Sequence, residues 1–174
     1  LWQMRRSLAE PLPELVLPDG VTVRTFEAGV DEAGWVELNQ RAFADHPEQG
    51  KWSIDDLRQR MCEPWFDPRG FFLAERDGRL VGFHWTKIHG GRHGAEHHGH
   101  EPIGEIYVIG IDPLEQGSGL GTALSIIGLE HLRSQHLAEA MLYVEADNAR
   151  AIKVYEKLGF SHADTDVMYR HAPD

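Results

Sequence analysis

At 174 residues the chain has the length of one domain, large enough to bury roughly two-thirds of its unfolded surface, and its single cysteine, Cys62, excludes an internal disulfide. A net charge of −11 argues against a general nucleic-acid surface and weakly favours a cationic substrate, so an anionic ligand must be held by local dipoles and a few basic side chains. Neither a signal-type apolar segment nor an apolar run of membrane-spanning length is present, which leads us to expect a cytoplasmic protein acting on a small molecule, away from membranes and nucleic acid.

Leu1 to Leu17 opens without methionine and runs into a proline-containing segment, as a linker or the tail of a preceding domain would. Residues 18–174 are then the domain proper. Val21 to Phe26 alternates like a strand, and Val30 to Phe43 reads as an amphipathic helix with Trp35, Leu38 and Phe43 on its core face. Ser53-Ile54-Asp55-Asp56 has the spacing of a capping box and predicts a second helix to about Cys62. Phe71 to Arg76 and Leu80 to Ile88 are strand patterns joined at Asp77-Gly78-Arg79, a hairpin signal. His89 to Glu101 is glycine- and histidine-rich, without periodicity, and reads as a loop; His93, His97, His98 and His100 match no defined zinc spacing, so no metal is expected.

Gly104 to Thr122 (GEIYVIGIDPLEQGSGLGT) carries the chemistry. Ile106 to Ile111 reads as a buried strand, Asp112-Pro113 ends it, and Gln116 to Gly121 leads into a helix that continues past Leu129. Glycines at such a turn let the backbone approach a ligand, and the first N–H groups of the helix have no intrahelical acceptor, which together make an anion site suited to phosphate. The spacing is neither a Walker loop nor G-x-G-x-x-G. Further on, Ala140 to Val144 is a short strand, Asn148 caps a helix from about Ala149 to Leu158, and Ser161 to Tyr169 gives a last strand. The order is that of a mixed α/β sheet with the glycine loop at the carboxyl end of a central strand.

Gln116-x-x-Gly119-x-Gly121 resembles the pyrophosphate loop of the GNAT acyl-CoA-dependent N-acetyltransferases, although that family often has arginine where Ser118 stands. Asn148 to Phe160, a helix opening on Asn, carrying Tyr155 and ending Leu-Gly-Phe, is similar to the family's second signature. The resemblance implies a mixed central sheet flanked by helices and splayed between the central strand and the next, with acetyl-CoA in the gap. Ile109, Gly110 and Ile111 would flank the acetyl and pantetheine portion. Gln116, Gly117, Ser118, Gly119, Leu120, Gly121 and Thr122 would cradle the pyrophosphate, and Asn148, Ala149, Arg150, Ala151, Ile152 and Lys153 would complete the wall.

Asn39 to Gly50, Gly82 to His89, Gly104 to Asp112 and Leu142 to Phe160 further resemble one branch of that family, whose members have two GNAT-type halves. This implies a preceding GNAT-like half, with Leu1 to Leu8 as its last strand. It also implies acetylation of the cysteinyl α-amine of a cysteine–glucosamine–inositol conjugate, with Glu48, Lys87, Glu105 and Tyr143 as acceptor residues. An amine attacks a thioester through its neutral lone pair, so a proton acceptor is needed, and Glu105 is the candidate; Tyr155 is the candidate donor to the departing sulfur. A strand distorted at Gly110 would leave a backbone N–H for the developing oxyanion. A GNAT acting on a protein N-terminus or an aminoglycoside, or a non-catalytic acyl-CoA-binding module, are the other readings open at this point.

Overall fold

The computed structural model describes residues 1–90 and 101–165. In chain order the elements are β1 (Trp2–Ser7), β2 (Val21–Thr25), α1 (Glu32–Ala42), α2 (Ile54–Met61), β3 (Phe71–Arg76), β4 (Arg79–His89), β5 (Ile103–Ile111), α3 (Leu120–Ser134), β6 (Glu139–Val144), α4 (Ala149–Lys157) and β7 (Ser161–Thr165). The strands form one sheet in the order β2-β3-β4-β5-β6-β1-β7. All neighbours are antiparallel except β5 and β6.

Strand alternation sorts the core into two layers. Phe71, Leu73, Phe83 and Trp85 meet Trp35 and Leu38 of α1 and Leu57 of α2 in an aromatic cluster. On the other face Met4, Ile106, Ala140, Leu142 and Val144 pack against Ile126, Leu129 and Leu132 of α3 and Ile152 of α4. The capping box expected at α2 is present: Asp56 N–H donates to Ser53 Oγ at 3.1 Å, and Ser53 N–H to Asp56 Oδ2 at 2.8 Å. The hairpin turns at Asp77 and Gly78, both at positive φ.

The start of the chain differs from expectation. Residues 2–7 are no tail outside the domain but an interior strand, hydrogen-bonded to β6 on one side and β7 on the other. The reason lies in their side chains. Met4 is fully buried, and Arg6 is buried too because its guanidinium donates to the carbonyls of Leu158, Glu10 and Ser7. β4 likewise continues through His89, which was expected to begin a loop. His93, His97, His98 and His100, and the end of the last strand beyond Thr165, lie outside the described residues.

The parallel ladder between β5 and β6 comprises Gly104 with Ala140 and Glu105 with Met141, and goes no further. Past Glu105 the strands diverge, so the sheet opens beside Ile109 to Ile111.

Candidate active site

On the α3–α4 side of the opening, two adjoining cavities of about 280 and 320 Å³ share Ile111, Gln116, Gly121, Arg150 and Val154. Their walls follow from the local sequence. Asp112 is buried at the end of β5. Burial alone would raise its carboxyl, but the Leu114 N–H and the Arg41 and Arg79 guanidiniums hold it below the usual carboxylate range. Glu115 is held low by Arg76, which donates to it at 2.7 and 3.0 Å. Between this anchored turn and α3, Gly117 and Gly119 sit at φ 82 and 89, a region that costs any side chain strain, and Gly119 is the N-cap residue of α3. The loop thus presents the N-terminal amides of a 15-residue helix to the cavity.

The second helix joins the same surface. Asn148 Oδ1 accepts from Ala151 N–H at 3.2 Å, starting α4, and Arg150 Nη2 donates to Gln116 Oε1 at 3.1 Å, tying the two signatures together. Tyr155 lines the cavity with Ile109 and Ile111, and burial pushes its phenol up to about 12, so it is protonated at neutral pH. An acyl-CoA fits this donor set: backbone amides and Arg150 for an anionic end, Ile109, Ile111, Val154 and Tyr155 for an apolar arm.

Of the residues expected here, Ile109, Ile111, Gln116, Gly117, Gly119, Leu120, Gly121, Thr122, Asn148, Arg150 and Ala151 line these cavities. Ser118, Ala149, Ile152 and Lys153 do not: Ser118 Oγ accepts from Leu120 N–H, Ile152 is buried in the core, and Lys153 is exposed. Helical spacing explains the pattern, since 150, 151, 154 and 155 share one face of α4. Glu115, Ser125 and Val154 also line the cavities and were missed, although Ser125 and Val154 each lie four residues from an expected lining residue. Gly110 also differs. It is in register with Phe83, and a Cβ there would stand 2.6 Å from Phe83 and 2.8 Å from Phe43, so the glycine answers close packing rather than a distorted strand. The irregularity in β5 falls at Tyr107, between the pairs Thr86–Ile106 and Trp85–Val108.

Across the sheet, Glu105 stands opposite Lys87 on β4 and Met141 on β6, and Tyr143 follows Met141 on the same face. Glu105 is buried, and His89 Nε2 lies 2.5 Å from its Oε1, a partner that sequence reading did not supply because it depends on strand register. The Lys87 ammonium sits over the rings of Trp65 at 4.4 Å and Tyr107 at 5.2 Å. Tyr143 is half exposed, and its hydroxyl accepts from Gln3 Nε2 at 3.2 Å. Glu48 is exposed on the short turn after α1. Lys87, Glu105 and Tyr143 therefore share one face, while Tyr155 and the amide cradle lie on the other.

The Acetyltransferase (GNAT) family model matches residues 33–160. A mycothiol acetyltransferase of Acidothermus cellulolyticus is 60% identical, covering 97% of this chain and 53% of that protein. The mycothiol acetyltransferase of Thermobispora bispora is 59% identical, covering 98% and 56% respectively. The chain thus spans about half the length of these relatives. Among solved structures, a GCN5-related N-acetyltransferase from Sphaerobacter thermophilus superposes with a TM-score of 0.73 at 24% identity, covering 94% of this chain and 48% of that one, a likeness of fold.

Proposed function

Because the chain belongs to the GNAT acetyltransferase family, we propose that it transfers acetyl from acetyl-CoA to the cysteinyl α-amine of a cysteine–glucosamine–inositol conjugate, the last step of mycothiol biosynthesis. The observation that carries the acceptor is the 60% identity to a mycothiol acetyltransferase over nearly all of this chain. A preceding GNAT-like half is part of the same proposal, consistent with the relatives' greater length.

The co-substrate supplies an acetyl group activated as a thioester. Its diphosphate is held by the amides of Gly117 to Thr122 and by Arg150, without a cluster of lysines, which suits a chain of net charge −11. Its acyl arm would pass between β5 and β6, whose ladder ends at Glu105 so that the sheet opens beside Ile109 to Ile111. Glu105, on the far face, accepts the proton that the amine loses as it attacks. The amides of β5 freed by the divergence from β6 are the donors for charge developing on the carbonyl oxygen.

Tyr155 holds its proton near the departing sulfur. With the phenol at about 12 and an ordinary thiol near 8.5, complete transfer runs uphill by roughly 5 kcal/mol, so Tyr155 stabilises the sulfur chiefly as a hydrogen-bond donor. Lys87, Tyr143 and Glu48 offer an ammonium, a phenol and a carboxylate to acceptor hydroxyls and carbonyls.

Release of free thiol from acetyl-CoA, measured with the cysteinyl conjugate, tests the proposal. Turnover with the conjugate and not with aminoglycosides or peptide N-termini is expected. The reverse preference would assign a different acceptor, and binding without turnover would make the domain a carrier module.

A further inference from the structure

If Glu105 takes the amine proton, as proposed above, that proton must leave a carboxylate only 7% exposed before the next turnover. We propose that His89 is the positioning residue for Glu105, orienting its carboxylate and carrying its proton to solvent. His89 closes β4, with Nε2 at 2.5 Å from Glu105 Oε1, and the side chains of this pair are 38% and 9% exposed. The imidazole therefore spans from the buried carboxylate to the surface. It borders an open cavity of about 690 Å³, lined also by Arg5, Glu101 and Glu139.

Among the described residues, the other charged groups around the pair are engaged elsewhere or cannot accept, apart from Glu101, an exposed carboxylate on the rim of the same cavity. Lys87, in register with Glu105, holds its ammonium over Trp65 and Tyr107, and an ammonium accepts no proton. Arg5 donates to Glu139 at 3.1 Å. From β6, Glu105 faces the thioether of Met141. A neutral imidazole has one nitrogen lone pair to receive the proton. With Glu105 ionised, Nε2–H donates to Oε1 and the lone pair is on Nδ1. Once Glu105 is protonated, proton exchange with water moves the imidazole to its Nδ1–H tautomer, and Nε2 takes the Glu105 proton. The imidazolium then gives its Nδ1 proton to water, which restores the carboxylate and the starting tautomer.

His89→Gln and His89→Ala, made in the whole chain and assayed by thiol release, test this. We expect kcat to fall about tenfold, a fraction of the full general-base contribution, with melting temperature, acetyl-CoA affinity and KM for acetyl-CoA unchanged. The pH dependence of kcat should flatten, and added imidazole should restore turnover to His89→Ala. Wild-type kcat and pH profile in both variants would overturn the proposal, as would a loss confined to KM that imidazole does not relieve. No thiol release from the wild-type protein would reject the acceptor reading instead. The pair is then judged by the imidazole ¹⁵N resonances of His89: a shift on Glu105→Gln supports it, and unmoved resonances overturn it.

Discussion

Between β5 and α4 the cavity is walled by glycines, helix amides and apolar side chains, with Arg150 as its basic group, whereas across the same strand stand Glu105, His89, Lys87, Trp65 and Tyr107, a surface of charges and rings. One face binds through conformation, the other through side-chain chemistry. The first should be sensitive to anything that alters backbone dihedrals and indifferent to many side-chain exchanges, and the second should behave in the opposite way.

The largest effect expected from this division is that of Glu105→Gln, which keeps the shape and removes the proton acceptor. Steady-state kinetics should give a kcat lower by about 10²–10³, with acetyl-CoA affinity by calorimetry intact. A parallel fall in affinity would mean that the two faces do not act separately.

Next comes acid. His84 is fully buried beneath α3, its Nδ1 2.7 Å from the Leu124 carbonyl, and desolvation outweighs that contact and lowers it from 6.5 to about 4. The unfolded chain takes the proton first, so stability is complete above 6.5 and is lost as pH falls from 6.5 toward 4. Urea unfolding should register roughly 2 kcal/mol less stability at pH 4.5 than at pH 7, with His131, lowered by the same cause, adding a smaller part. Much of that pH dependence should vanish in His84→Gln. A slope that survives the substitution would place the titration elsewhere.

On the conformational face, Gly119→Val forces a branched side chain to φ 89. A strain of about 1–3 kcal/mol should weaken acetyl-CoA tenfold or more while the KM for the acceptor stays put. Arg150→Ala is the mildest test. It removes the 3.1 Å bond to Gln116 and one cation, and should raise the KM for acetyl-CoA by about threefold to tenfold, more at low salt than at high.

The same division explains what could be read from the chain. A turn that requires positive φ leaves glycines at fixed spacing, so the strand, loop and helix around Gln116 to Gly121 were legible, and so was the α4 cap at Asn148. The reactive face was legible only in part. Glu105 could be chosen, but His89 is 16 residues away and meets it through β4–β5 register, which no local pattern encodes. Residues 1–8 were expected as a strand of a preceding half, but their place inside this sheet was hidden, because Arg5 and Arg6 break the apolar alternation and one of the carbonyls that make a buried Arg6 tolerable, that of Leu158, lies at the far end of the chain. Gly110 was misread for a similar reason, since the rings of Phe43 and Phe83 that demand it come from distant segments.

In the proposed complex acetyl-CoA lies in the gap between β5 and β6 with its diphosphate on the α3 amides. Backbone amide NMR during titration with CoA tests it directly. The largest shifts are expected at Gly117, Gly119, Gly121 and Thr122, with smaller ones at Ile109 to Ile111 and Arg150, and little change at Glu48. Shifts concentrated on the α1–α2 face, or none at saturating CoA, would contradict it.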